Sequence, residues 1–289
     1  MRSRTRRALG DLLSNVRYEV LPTPSVVEEV STHLPPGATV TVTASPSKGL
    51  AATLDCAGAL AERGFDVVPH LAARMVGGRA ELGEIVARLY QSGVRALFVP
   101  AGDADPVDGG YAGSFELLQD LAALGNPFEH VGITGYPESH PIIGDDLTVQ
   151  AMWDKRHHAT QIVSNLAFDP RVVVGWVERV RARGVQTPIL LGMPGPVERA
   201  KLLRMATKIG VGESSKFLVK NRNLFARMAT PGGYDPMRFL SAVAGGIDTT
   251  EANVVGLHLF TFNQVAETEA WRRAQLDRLG VSNVTTQPV

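Results

Sequence analysis

A phenol, a carboxylate and an imidazole crowd one short stretch of the chain. Tyr136, Glu138 and His140 stand among Pro137 and Pro141, directly after the β-branched-rich run 131–134 and Gly135. Two prolines remove backbone donors and fix φ, so neither a helix nor a strand ladder continues through this segment. A strand that ends in a rigid loop rich in functional side chains is how an α/β enzyme builds a site. An ordinary strand-to-helix turn is the plainer reading, but such turns favour Gly, Asn, Asp and Ser over this combination.

Other positions carry chemistry of the same kind. Glu19 falls inside a short strand beside Val16, Tyr18 and Val20, which implies burial in an apolar setting. There a carboxyl is held protonated more readily and can act as a general acid near neutral pH. An edge-strand glutamate facing water is the alternative, and a closed barrel has no edge. Asp103 follows Gly102, whose missing Cβ permits close approach of a ligand; an Asx-turn with Asp105 and Pro106 reads equally well. His70, after Pro69, ends another strand, where packing or hydrogen bonding is its commoner role. The segment 210–216, with its glycines, Ser214, Ser215 and Lys216, offers a cradle for a phosphate or carboxylate, although Glu213 opposes an anion and a capped helix start is the simpler reading. Metal chemistry is not expected: His157 and His158 are adjacent and do not share a helix face, and no HExxH or CxxC accompanies them. Neither a GxSxG elbow, a Walker loop, nor a GxGxxG after a strand is present.

The elements that must position these groups alternate. Strands are expected at 16–20, 38–43, 65–71, 94–100, 131–134, 161–166, 188–192 and 254–260. Helices fall between them: one after Ser25, one ending near Arg63, then 81–90, 115–124, 146–157, 170–183, 198–209 and 263–279. A Gly-punctuated helical insertion is expected over 211–247. The candidate residues come from many strand ends, all on the same side. This pattern fits a single (β/α)8 TIM barrel over 1–289, with a basic, solvated N-terminal extension at 1–14 and a loose tail at 281–289. A doubly wound sheet is the competing architecture, because alternation alone does not show closure.

Bulk properties narrow the function. Lys+Arg and Asp+Glu are both 29, a formal net charge of zero, which argues against a general nucleic-acid or anionic-membrane binder. Hydrophobic residues at 44% and charged residues at 20% suit an ordinary globular protein. Cys56 is the only cysteine, so an internal disulfide is impossible and a reducing cytoplasm is the natural setting. No apolar run approaches the ~20 residues of a bilayer span, and the arginines at 2, 4, 6 and 7 lack the apolar segment of a signal peptide.

Read together, Tyr18-Glu19, Pro69-His70-Leu71, Gly102-Asp103, Tyr136-Pro137-Glu138-x-His140 and Gly256-x-His258-x-Phe260-Thr261-x-Asn263 resemble methylenetetrahydrofolate reductase of the short bacterial type. The resemblance is distant and runs over about 16–279. It implies a barrel that reduces 5,10-methylenetetrahydrofolate to 5-methyltetrahydrofolate with NADH or NADPH, as a step toward methionine biosynthesis. On that resemblance Glu19 is the general acid that opens the folate ring. Asp103 contacts the pterin and favours a cationic iminium. Thr43, His70, Gly102, Tyr136, Glu138, His140, Asn165 and Thr261 line the substrate and cofactor sites.

The departures from the family pattern concern FAD. Members carry an Arg just before the Gly-Asp, where this chain has Ala101. They also carry a Gln at the end of strand six, where it has Asn165, and an Arg-Lys pair that Lys155 and Arg156 match only roughly. Flavin elements are thus half kept, as expected if folate is retained and FAD is weakened or lost. Hydride would then pass directly from NADH to the bound iminium. Competing functions are a folate-linked methyltransferase or demethylase on the same scaffold, a non-catalytic folate binder, and a flavin oxidoreductase of another substrate class.

Overall fold

Among the described residues, eight short strands rich in Val, Ile and Leu alternate with helices, most of which turn apolar residues inward. The computed structural model describes residues 3–104, 110–138, 145–196 and 234–281. Its strands are β1 Val16–Val20, β2 Thr39–Val42, β3 Asp66–Pro69, β4 Ala96–Phe98, β5 His130–Gly135, β6 Gln161–Ser164, β7 Ile189–Pro194 and β8 Val254–Phe260. All pair in parallel, in the order β3-β2-β1-β8-β7-β6-β5-β4. The end strands β3 and β4 then meet through a bridge between His70 and Phe98, with the Leu71 amide donating to the Phe98 carbonyl at 2.8 Å and Ala73 to Pro100 at 2.9 Å. That junction closes the sheet into a barrel and excludes the doubly wound alternative.

The helices among the described residues are α1 Ser3–Ser14, α2 Val26–His33, α3 Gly49–Ala61, α4 Arg79–Gln91, α5 Ser114–Ala123, α6 Asp145–Lys155, α7 Pro170–Ala182, α8 Pro236–Gly246 and α9 Val265–Leu279. None is long and apolar enough to cross a membrane. Asp169 and Asp235 start α7 and α8 with carboxylates that accept the Arg171 amide and the Met237 and Arg238 amides, respectively, each with Pro at the first helical position. The expected helix 198–209, the segment 211–233 and the tail 282–289 lie outside the described residues. Of the expected insertion, the part that is described is α8, which packs against α7 and α1 as an outer helix between β7 and β8.

The basic start of the chain differs from the solvated end expected. Its arginines at 4, 6 and 7 are exposed, but Leu9, Leu12 and Leu13 are fully buried. Their i, i+3, i+4 spacing puts them on one face of α1, which packs on α8, α9 and β8. Charge at the front of the helix and an apolar stripe at its back are compatible, and the stripe decides the packing.

Strand register sorts side chains between barrel interior and outer core. Glu19 is level with Thr41 and Phe260, Arg17 with His258, Thr41 with Val68, and His70 with Phe98, so these residues share the inner face. Val68, Phe98, Val163 and Leu190 form an apolar cluster of their own, distinct from the main core between strands and helices. It fills the middle of the barrel, and polar groups lie on either side along the strands. Toward the strand N-termini, Arg17 is 5% exposed; burial depresses its pKa to about 10 and Asp66 partly offsets this. Toward the strand C-termini lies the candidate site.

Candidate active site

Glu19 reaches the interior because alternation along β1 sends Tyr18 and Val20 the other way. Both are buried in the outer core, and the Tyr18 hydroxyl donates to Glu269 on α9. The apolar setting inferred for Glu19 from those neighbours is therefore corrected, because they face the helices. What surrounds the carboxylate, whose side chain is 13% exposed, is a pair of imidazoles. His258 Nε2 lies 2.9 Å from Glu19 Oε2 and His70 Nε2 lies 3.7 Å from the same oxygen.

Both rings are held by packing. Phe98 meets His70 edge-on at 4.7 Å between centroids, and Phe260 meets His258 edge-on at 4.9 Å. Among the described residues, His258 Nδ1 is buried without a hydrogen-bond partner, as is His70 Nε2. A bare lone pair costs less to bury than an unmade N–H donor bond, so Nε2 is the favoured proton site on His258, placed to donate to the Glu19 carboxylate. Burial lowers the His70 pKa to about 4, against the raising effect of Glu19 and with a further lowering by His258. His70 is neutral at physiological pH. The ligand atoms of Glu19, His70 and His258 all lie within 4.8 Å of one another, a donor set the sequence did not advertise because its members come from three separate strands.

Thr261 sits just past β8, and its hydroxyl is committed. It donates to the Glu19 main-chain carbonyl at 2.6 Å and accepts the Asn263 amide at 3.1 Å, in a fully buried position. Asn263, at φ 57°, takes the Leu21 amide at 2.8 Å and donates to the Leu21 carbonyl and the Thr23 hydroxyl, both at 3.1 Å. The end of β8 thus fastens the end of β1.

On the opposite rim, Gly102 adopts φ 87° and a Cβ there would lie 3.0 Å from Ala72 Cβ, so glycine fits both the backbone and the space. Asp103 follows it, exposed at the mouth. Tyr136 faces it: burial raises the Tyr136 pKa and the Asp103 charge raises it further, while a hydrogen bond with Thr134 opposes. Ala101 is in place before Gly102 and its carbonyl accepts the Arg74 amide at 2.9 Å.

Asn165 and Glu138 stand nearby with their acceptors engaged. The Asn165 Oδ1 takes the Leu166 amide at 2.8 Å. Glu138 Oε1 takes the amides of Phe168 and Asp169 at 2.6 and 2.8 Å, bracing the loop after β6 against the loop after β5. Ser164 Oγ accepts the Gly192 amide at 2.7 Å, and a Cβ on Gly192 would collide with the Ser164 carbonyl at 2.1 Å. Thr43 Oγ1, one strand over from Glu19, is buried without a partner among the described residues. His140 and the segment 210–216 lie outside them. His258 and Ser164 were not singled out as site residues; His258 was visible as part of the motif in strand eight, Ser164 carried no signal.

Comparison with known proteins decides the family. A family model described as methylenetetrahydrofolate reductase matches residues 24–270. The chain belongs to the methylenetetrahydrofolate reductase family. Thr43, His70, Asp103, Asn165 and His258 all fall within the matched residues, and Glu19 stands just ahead of them on β1. Methylenetetrahydrofolate reductase 2 of Saccharomyces cerevisiae (strain ATCC 204508 / S288c) is 24% identical over 136 residues, a match covering 43% of this chain and 23% of the yeast protein. The match therefore spans about a quarter of that relative. Among solved structures, oxaloacetate acetylhydrolase superposes with a TM-score of 0.51 at 14% identity, covering 99% of this chain and 88% of that one. Its complex with 3,3-difluorooxalacetate gives a TM-score of 0.52 at 13% identity and the same coverage. At that identity the likeness is one of fold, and the methylenetetrahydrofolate reductase family supplies the chemical frame.

Proposed function

We propose that this chain reduces 5,10-methylenetetrahydrofolate to 5-methyltetrahydrofolate with hydride from NADH or NADPH, and that Glu19 is the general acid. The observation that carries the reading is the placement of Glu19 inside the barrel mouth, backed by His258 and opposite a rim that bears Asp103. Glu19 delivers a proton to the leaving folate nitrogen. The bond from that nitrogen to the methylene carbon breaks, its electron pair staying on nitrogen, and a cationic iminium remains. Asp103, exposed at the mouth, favours that cation. Hydride adds to the methylene carbon and neutralises it, giving the methyl group and oxidised nicotinamide. One proton and one hydride are consumed, and the carboxylate is reprotonated from solvent.

Family members usually bind FAD, which would carry the hydride between nicotinamide and folate when bound. Thr43 and His70 retain polar atoms that could meet a flavin ring. The phosphate side fits poorly. Ala101 offers no cation, and the Arg156 guanidinium lies over the Trp153 ring, 3.7 Å from its centroid, and donates to the Trp153 carbonyl. These features support direct transfer from nicotinamide to folate.

The test is the absorbance spectrum of freshly purified protein, followed by NADH and methylenetetrahydrofolate in the same cuvette. Colourless protein that oxidises NADH only when folate is added supports the proposal. A stoichiometric flavin bleached by NADH and restored by folate overturns direct transfer, and folate-dependent oxidation of neither NADH nor NADPH overturns the reductase reading.

A further inference from the structure

We propose that Glu19, His70 and His258 form a binding site for a zinc-class divalent cation, which displaces the proton Glu19 needs and so silences the acid. Three observations carry this. The two imidazole Nε2 atoms converge on one carboxylate oxygen, at 2.9 and 3.7 Å, and all three ligand atoms lie within 4.8 Å of one another. Zinc–ligand bonds of about 2.0–2.2 Å in a tetrahedron place neighbouring ligand atoms about 3.3–3.5 Å apart. The glutamate–histidine gaps bracket that spacing, and the two imidazole ligand atoms lie within 4.8 Å of each other. His70 Nε2, on a residue only 9% exposed, has no hydrogen-bond partner among the described residues and lies 3.7 Å from the Glu19 oxygen.

The donor types agree with the geometry. Two neutral imidazoles and one carboxylate are a common three-ligand set for zinc, leaving a fourth position open toward the barrel mouth for water. Binding through Nε2 moves the His258 proton to Nδ1, which among the described residues has no hydrogen-bond partner of the kind that orients a ligating histidine in a tightly held site. The site therefore suits an exchangeable ion and not a permanent structural one.

The ion site rests on the three side chains alone, whereas its silencing of Glu19 rests on the reductase reading, so binding is tested without folate or nicotinamide. Untagged full-length protein is titrated with Zn²⁺ by calorimetry and with Co²⁺ by visible absorbance. The same is done for Glu19→Gln and His70→Gln, with circular dichroism confirming the fold of each. One saturable ion per chain is expected, with a Co²⁺ spectrum of low coordination number. Either substitution should weaken binding by about tenfold or more, a loss found even for outer partners of metal ligands. Nuclear magnetic resonance of the histidine rings provides a readout on unmutated protein: His70 and His258 must shift together at one equivalent of Zn²⁺. Absence of saturable binding, binding undiminished in both variants, or unmoved His70 and His258 resonances overturns the proposal.

Discussion

The hydroxyl of Thr261 donates to the main-chain carbonyl of Glu19 at 2.6 Å, across the seam between the last strand of the barrel and the first. A residue at the end of β8 thereby sets where the carboxylate on β1 can sit. The side chain read from sequence as a ligand contact holds the backbone of the proposed acid. Thr261→Val keeps the shape and removes the hydroxyl, leaving the Asn263 amide without its acceptor. The expected result is a stability loss of about 1–3 kcal/mol and a fall in kcat larger than the change in KM. Thermal melts together with steady-state kinetics check this; lowered melting with unchanged kcat would show that the histidines alone place Glu19.

Glu19→Gln preserves size and the contact to His258 but cannot deliver a proton. Turnover should fall by about 10²–10⁴, the usual contribution of a general acid, while folate affinity measured by equilibrium titration stays within a few fold. Comparable losses in both would make Glu19 a binding residue and sink its assignment as acid.

His258 is buried to 1% exposure, and its Nε2 meets the Glu19 carboxylate at 2.9 Å. Replacing the ring nitrogens with carbon in His258→Phe leaves the carboxylate with only the more distant His70. A drop in kcat of about tenfold or more is expected, the scale of a lost charge-assisted hydrogen bond at about 1.5–3 kcal/mol. His258→Gln, which restores a donor, should recover part of it. If both variants lose activity equally and both melt early, His258 is a packing residue.

The barrel was legible in the sequence because its signals are repetitive. Valine-rich strands such as β1 and β8 have the limits their residue types imply, and Gly64, Gly93 and Gly184 punctuate the turns with φ of 82°, 85° and 79°. The α1 helix was hidden behind its arginines, although Leu9, Leu12 and Leu13 already carried the helical spacing. The candidate site was legible only by residue type. Neighbours in sequence suggested that Glu19 lies among Tyr18 and Val20, but in a strand those point to the opposite face, and its true neighbours come from β3 and β8. Hydroxyls and amides gave no direction at all. Thr261, Asn165 and Glu138 could equally have met a ligand or their own backbone, and only the closed fold shows each engaged with a main-chain group.

Gly135 ends β5 against Trp176 of α7, where an added Cβ would lie 2.5 Å from the indole Cζ2. Trp176 is 1% exposed and cannot retreat. Gly135→Ala should therefore cost about 1–3 kcal/mol through overpacking. It should also disturb the loop that carries Tyr136 and Glu138. Denaturant unfolding measures the first effect, and folate binding the second. A variant as stable as the parent would mean that α7 can shift outward at that point.

Glu269 on α9 ties together three elements below the site. Its carboxylate accepts from the Tyr18 hydroxyl of β1, from Arg272 at 2.7 and 2.9 Å and from Arg273 at 2.5 Å, while Arg272 also donates to the Leu13 carbonyl of α1 at 3.1 Å. Burial pushes the Glu269 pKa up, but the hydrogen bonds from Arg272 and Tyr18 and the Arg272 charge outweigh it and hold the carboxyl below its ordinary value of 4.5. A carboxyl depressed in the folded state binds fewer protons there than in the unfolded chain. Its contribution is therefore fully present well above pH 4.5 and is lost as pH falls through that value toward the folded one. Removing the anion in Glu269→Ala leaves Arg272, itself 8% exposed, without its partner. Breaking a buried pair in this way costs about 3–5 kcal/mol, a fall in Tm on the order of 10 °C for a chain of this size. Melting curves at pH 7 and pH 4 should show a large difference between variant and parent at pH 7 that narrows at pH 4. A difference independent of pH would mean that the loss comes from packing around α1 and α9 and not from the charge.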